Sequence, residues 1–503
     1  MAGMTQAGAG RRFDPRWLPL IVTTIGSFMS ILDSTIVNIA LPSILQDFNT
    51  SLQSGQFVIT SYLMALAVVV PTSGFLGERI GMKRLYMITL AFFTIGSAMC
   101  GLAWNVQSLI FFRVLQGLGG GMLQPLGMAI VFMMITPLER PHFMALLGIP
   151  ALLAPMLGPT VGGYLVEYSS WRAVFLINVP IGIVDIVFAY FLLKETPLRT
   201  DTHFDFKGFG FAFFAFPCLL LALSTGADVG WDSPAALGFF AVGVVALAGF
   251  IRVELRNHDP LLRIRLFADP MFRLAIIVQW IGFFSLFGLN FLMPLFLQRA
   301  HGLGAAEAGQ VLLPMGVVAF ITMNTAGRQY KRFGPRPLVI VGLGVLALTT
   351  FLWSRIDENT GILPIMLVVA GRGLGLGFFG QTVQLVAYNT IAPGEIPRAT
   401  SLVNVGQRIN GALATAVLTT VLVASLQWVG APAGTSISDG TAPIPLMVEA
   451  FHYAFLVMTG LCVVGMVLAL FLRDRVLEEY RREMVKVPAD AGQSEEPEAV
   501  LAE

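Results

Sequence analysis

Charge is scarce in this chain. Only 12% of its 503 residues are Asp, Glu, Lys or Arg, about half of what a soluble protein of this length carries. Cysteine is nearly absent: Cys100, Cys218 and Cys462 all lie inside apolar blocks, which excludes a disulfide framework and leaves no metal-ligand spacing. The five histidines form no metal or catalytic constellation, so no enzyme activity, cofactor or metal is expected. No Gly-x-x-x-x-Gly-Lys-Ser/Thr loop occurs, which argues against ATP as an energy source within the chain. The N-terminal stretch 1–16 lacks a short apolar core followed by a small-residue cleavage site, and reads as a retained cytoplasmic tail rather than a signal peptide. A net charge of +1 gives no reason to expect a nucleic-acid partner.

Apolar sequence is abundant, at 56% hydrophobic residues, and it comes in blocks long enough to cross a bilayer. Fourteen helices are expected, at approximately 17–45, 55–76, 85–103, 107–135, 142–167, 172–193, 208–226, 235–254, 272–298, 307–327, 337–354, 362–390, 399–428 and 449–472. The fold class is therefore an all-α integral membrane protein. It divides into a six-helix bundle at 17–194, a linker with two extra helices at 195–271, a second six-helix bundle at 272–472 and a cytoplasmic tail at 473–503. Twenty-five of the 31 Lys and Arg fall on one side of this alternation, three on the other and three inside helices. The positive-inside rule then places both termini in the cytoplasm of a cell whose plasma (inner) membrane holds the chain.

The two six-helix halves echo each other. Gly74-Phe-Leu-Gly-Glu78-Arg79-Ile-Gly81-Met-Lys83 follows the second helix, and Gly327-Arg-Gln-Tyr-Lys331-Arg332-Phe-Gly334-Pro-Arg336 occupies the matching place in the other half. Arg113 in the fourth helix is matched by Arg372. Internal repeats of this kind mark transporters whose substrate path runs between two related bundles.

A few polar residues stand inside the spans. Asp33 is a lone acid in the first helix, roughly 24 Å from the cytoplasmic end at 1.5 Å per residue. Thr23, Ser27, Ser30, Ser34 and Asn38 share one arc of that helix, with Asp33 at its edge. An intramembrane carboxylate is costly and is a functional-site hypothesis with a partner to be named. Arg113, roughly 21 Å from the same side, is at matched depth. The pair reads either as a proton-linked couple, in which protonation of Asp33 loosens the contact, or as a fixed internal salt bridge. Arg408 is an alternative partner for Asp33, or a contact for an anionic substrate. Asp185 is either a second proton site or a polar contact toward the inserted helices. Glu78 is expected to pair with Arg79 or Arg140 and hold the cytoplasmic side shut, within a short loop from Gly74 to Arg84. Gly148, Pro150, Gly158, Pro159, Gly162 and Gly163 make the fifth helix able to bend and pack tightly. Candidates for a substrate cavity are Phe28, Gln116, Gln124, Phe284, Phe287, Asn290, Arg372 and Gln384.

These residues resemble the major facilitator superfamily, in particular its fourteen-helix drug:proton antiporter subfamily. Gly74-x-Leu76-x-Glu78-Arg79-x-Gly81-x-Lys83-Arg84 is similar to the superfamily loop signature, with Glu where Asp is usual. Arg113-x-x-Gln116-Gly117 is similar to the fourth-helix motif assigned to proton transfer, and Gly158-Pro159-x-x-Gly162-Gly163 to the fifth-helix motif of antiporters. Leu32-Asp33-x-Thr35-Ile-Val-Asn38-x-Ala40-Leu-Pro42 and Trp171-Arg172-x-x-Phe175-x-x-Asn178-Val-Pro180-x-Gly182 are similar to subfamily signatures. The resemblance implies a proton-driven exporter of small amphipathic compounds, working as a monomer among membrane lipids, with protons and a small molecule as its partners. Two alternatives stand beside it: an exporter of one defined metabolite or lipid on the same fold, and a non-transporting membrane sensor or scaffold.

Overall fold

The computed structural model describes residues 17–50, 52–136, 139–199, 203–431 and 443–473; the tail readings at 1–16 and beyond 473 lie outside them. Every regular element among the described residues is helical. The first six long helices are α1 (Trp17–Asp47), α2 (Leu52–Val69), α3 (Met82–Gly101), α4 (Val106–Met134), α5 (Ile149–Tyr168) and α6 (Asn178–Leu192). The inserted pair is α7 (Phe206–Val229) and α8 (Pro234–Arg256). The last six are α9 (Pro270–Arg299), α10 (Ala305–Phe333), α11 (Pro335–Trp353), α12 (Ile362–Asn389), α13 (Ile396–Trp428) and α14 (Ile444–Ala469). Thirteen described helices are long and apolar enough to cross a membrane. The remaining long helix, α5, is separated by Gly148 from the short helix Arg140–Leu147, so the expected fifth span is two pieces. Helices satisfy all their backbone groups internally, which is what a bilayer demands.

Polar residues mark where these helices start. Asn105 and Ser108 form a reciprocal capping box ahead of α4. Asp205, Ser233 and Asp269 accept backbone N–H groups at the starts of α7, α8 and α9. The stretch 74–84 is not the loop expected from its sequence. α2 continues through a 3-10 turn (Val70–Thr72) into the helix Ser73–Ile80, and Gly81 alone makes the turn into α3. Its φ of 100° lies where a side chain is strained, and Gly334, with φ 84°, does the same between α10 and α11.

The long helices pack as two groups, α1–α6 and α9–α14, while α7 and α8 pack on each other and α7 also lies against α2 and α13. Each group has two apolar layers. In the first, Met29, Leu90 and Phe93 belong to one layer, and Ile36, Phe112 and Phe175 to the other. In the second, Val278, Leu376 and Phe379 belong to one, and Leu289, Val369 and Trp353 to the other. Asp33 and Arg113 fall between the first two layers in sequence, and Ser285 and Arg372 between the second two.

The glycine run of α4 sets how near its neighbours come. A Cβ at Gly117 would lie 2.7 Å from Ala65 Cβ, and one at Gly121 2.6 Å from Val69, so α2 is packed onto that face. On the other face, a Cβ at Gly119 would strike the Phe93 backbone, and one at Gly96 would lie 2.7 Å from Gln116 Cα. Small residues permit this approach, which gives membrane helices their van der Waals contact. Replacing Gly119 by Val should separate α3 from α4 at a cost of at least about 1–3 kcal/mol. Size-exclusion chromatography after detergent extraction should show loss of the monodisperse species; an unchanged profile and melting temperature would contradict this packing.

Candidate functional site

The close packing of α2, α3 and α6 around α1 and α4 brings six polar side chains together in the first bundle. Asp33 is 0% and Arg113 1% exposed. Arg113 Nη1 donates to Asp33 Oδ2 at 2.6 Å, which answers the choice between Arg113 and Arg408 as partner. Asp33 Oδ1 accepts from Gln116 Nε2 at 2.8 Å and from Asn178 Nδ2 at 3.1 Å. Both amides also donate to Ser97 Oγ, at 3.0 and 3.1 Å, and Ser97 in turn donates to the Phe175 carbonyl. Arg113 Nη1 donates as well to Gln116 Oε1, and its Nε to the Val58 carbonyl. The guanidinium sits over the Tyr62 ring, 3.9 Å from its centroid. Each carboxylate oxygen thus has at least one donor. That is the condition for holding a charge in a low-dielectric interior, and removing one member of such a pair costs about 3–5 kcal/mol.

Several expected residues stand elsewhere than foreseen. Gln116 is fully buried in this network and does not line a cavity. Arg372 is likewise 0% exposed, and donates to Thr350 Oγ1 at 3.1 Å and to the Ser285 carbonyl at 2.8 Å inside the second bundle. Asp185 does not face the inserted helices. Its Oδ2 accepts from Tyr86 of α3 at 3.3 Å, beside Gly26 of α1, because α6 packs against α1 and α3. Phe28, Gln124, Phe284 and Phe287 are half-buried, Asn290 is exposed, and Gln384 is buried against Met128 of α4. Of the α1 polar arc, Thr23, Ser27 and Ser30 are buried, Ser30 donating to the Gly120 carbonyl, whereas Asn38 is exposed. In α5, a Cβ at Gly158 would lie 2.5 Å from Thr35 Oγ1 and one at Gly162 2.7 Å from Ile36. Gly163 has nothing within 4 Å, Pro150 is buried, and the side chain of Pro159 lies outside the described residues.

The two bundles meet at the end that carries most of the Lys and Arg, called here the basic face. Glu78 is gripped by Arg398 of α13: Nε donates to Oε1 at 3.1 Å and Nη2 to Oε2 at 2.8 Å, with both residues buried. Arg199 adds a longer ion pair at 3.7 Å. Arg140, one expected partner of Glu78, instead reaches α12, donating to the Tyr388 carbonyl and Asn389 Oδ1. Ser73 Oγ and Ser401 Oγ are 2.8 Å apart, and a Cβ at Gly74 would lie 2.6 Å from the Pro397 carbonyl. Arg79 is exposed. Lys83 and Arg84 do not reach across: Lys83 Nζ donates to the Tyr190 carbonyl and Arg84 pairs with Glu195, bracing α3 against the end of α6 in their own bundle. A second ion pair, Arg263 with Glu395, joins the segment after α8 to the start of α13. Burial and neighbouring arginines act to lower the Arg263 pKa.

Tyr62, Ser97, Asn178 and Arg398 were not singled out as site residues from the sequence. Asn178 did stand inside a quoted motif, whereas an aromatic or hydroxyl residue in an apolar helix gives no signal of its own.

The chain matches the family model described as Major Facilitator Superfamily over residues 23–415. It is 32% identical over 418 residues to the multidrug resistance protein B homolog of Mycobacterium tuberculosis, covering 80% of this chain and 75% of the relative. It is 31% identical over 511 residues to the tetracenomycin C resistance and export protein of Streptomyces glaucescens, covering 94% of each. Among solved structures, the human organic anion transporter MFSD10 superposes with a TM-score of 0.63 over 91% of this chain and 100% of the other, at 16% identity, a likeness of architecture.

The seal at the basic face can be tested directly. A Ser73→Cys/Ser401→Cys pair should crosslink readily under mild oxidation. Adding Glu78→Gln, which removes the charge that grips Arg398, should lower the crosslinked fraction severalfold. An unchanged yield would remove Glu78 from the closure.

Proposed function

The chain belongs to the Major Facilitator Superfamily, and from that footing we propose that it is a proton-coupled antiporter exporting small amphipathic compounds across the plasma membrane. It is a multi-pass membrane transporter of small molecules. The names of its relatives, which include multidrug resistance and tetracenomycin C export, support a drug-like cargo.

One observation supports the coupling: the Asp33–Arg113 pair, buried in α1 and α4, with donors on both carboxylate oxygens. A proton on Asp33 cancels one of the two charges, so the grip of Arg113 on α1 weakens and the relative energies of the two conformations change. With the basic face cytoplasmic, the present arrangement is closed inside. Protons reaching Asp33 from outside would favour release of the Glu78–Arg398 seal and opening inward; loss of the proton to the cytoplasm would favour cargo loading and return. Asp33 carries the proton, and Arg113, Gln116 and Asn178 hold its charged form. Arg398 and Glu78 close the inner gate, and α5, broken at Gly148 where it meets Met323 and Gln381 of the other bundle, supplies the bend. Asp185 is a second proton-carrying candidate. Both termini lie in the cytoplasm, and a single chain suffices.

Asp33→Asn mimics the protonated carboxyl. In proteoliposomes with an imposed pH gradient, the variant should bind cargo but show no cargo-dependent proton movement and no uphill export. Proton movement at the wild-type rate would sink the role given to Asp33.

A further inference from the structure

The other buried arginines each have acceptors for part of the guanidinium, although the Nε of Arg372 has none. Arg113 has a carboxylate, Arg372 has two hydroxyls and a carbonyl, and Arg398 has Glu78 together with the Pro260 carbonyl. Arg408 differs. Its Nε is buried with no acceptor, and no hydrogen bond or ion pair joins its guanidinium to any described residue. Asp33 does not serve it, since both oxygens of Asp33 are taken within the first bundle. Guanidinium does not give up its proton, so a cation inside a membrane protein without a partner is a standing cost.

Its position shows what would meet it. Arg408 is seven residues past Ser401 on α13, so it lies about 10 Å above the serine contact that seals the basic face. It is half-buried and faces the first bundle, where Tyr62 of α2 is near enough to interact with it electrostatically. An aromatic pair lies one turn further along the same face of α13: a Cβ at Gly411 would lie 3.4 Å from Phe287, which stacks on Phe283. An unpaired cation with Tyr62 on one side and the Phe283–Phe287 pair one turn away suits a flat molecule bearing an acidic group.

We propose that Arg408 binds an anionic group of the cargo, and that this exporter prefers aromatic acids (carboxylates or ionised phenols) to cations of the same size. The inference rests on the exporter reading and adds a substrate class to it. A carboxylate or phenolate would take charge-assisted hydrogen bonds from the guanidinium fork, the strongest polar contacts open to it.

Two xanthene dyes of one scaffold and opposite charge, fluorescein and rhodamine 6G, test it. Initial export rates are measured in proteoliposomes, and fluorescein binding to detergent-purified protein is followed by fluorescence anisotropy. The wild type should favour fluorescein. Arg408→Gln should lower the fluorescein-to-rhodamine ratio and raise the fluorescein Kd at least about tenfold. Arg408→Glu should lower the ratio further, and Arg408→Lys, which keeps the charge, should restore part of both. Asp33→Asn should abolish the proton dependence of both dyes without lowering the fluorescein preference in binding, which separates failure of the coupling from failure of this site. A wild type that binds no fluorescein overturns the proposal. So does a monodisperse Arg408→Gln or Arg408→Glu protein with the wild-type ratio and Kd.

Discussion

A cation set between two apolar layers must be satisfied by the protein, because no water or lipid headgroup reaches it. Each bundle contains such a layer, centred on Arg113 in one and Arg372 in the other, and the two are satisfied differently. Arg113 is held by a carboxylate and fixed over Tyr62. Among the described residues Arg372 donates to Ser285 and Thr350, and its Nε has no acceptor. The halves therefore share a frame but not a chemistry. In the first half a single proton can change the charge at the centre of the bundle. In the second, no carboxylate among the described residues is hydrogen-bonded to the arginine.

This division also connects the site to the closure. α4 carries Arg113 near one end and, farther along, the face that packs on α13; the helix Ser73–Ile80, which holds Glu78, continues α2, the helix that supplies Tyr62 and the Val58 carbonyl to Arg113. The surroundings of Asp33 and the basic face are thereby joined through α4 and through α2 with its 3-10 turn and the helix Ser73–Ile80. On the α2 side the 3-10 turn Val70–Thr72 is the single break in that path.

Much of this was legible in the sequence. Apolar blocks of spanning length located the helices, and the depths of Asp33 and Arg113, measured from opposite ends of antiparallel helices, placed them opposite each other. What the sequence hides is rotation about a helix axis and contact across long separations. Gln116 and Arg372 were placed on a cavity because their faces cannot be read without neighbours; the structure turns both inward. Glu78 and Arg398 are 320 residues apart, and Arg398 counted only as one more basic charge near a helix end. The stretch 74–84 read as a loop since glycine and charge cluster there, yet one positive-φ glycine suffices for the turn and the rest continues as helix. Asp185 was left between a second proton site and a contact toward the inserted pair; packing of α6 on α1 and α3 decides its surroundings and turns it from that pair.

The inserted pair has a consequence for how the protein meets the bilayer. The bundles adjoin along two flanks, one where α13 meets the continuation of α2 and the other where α5 meets α10. α7 lies along the first, in contact with both of its walls, and Trp231 at the end of the hairpin donates to Thr420 of α13. The second has no such cover among the described residues. The molecule is thus sided in the plane of the membrane: an inserted hairpin covers one flank of the bundle contact, and on the other α5 and α10 meet without one.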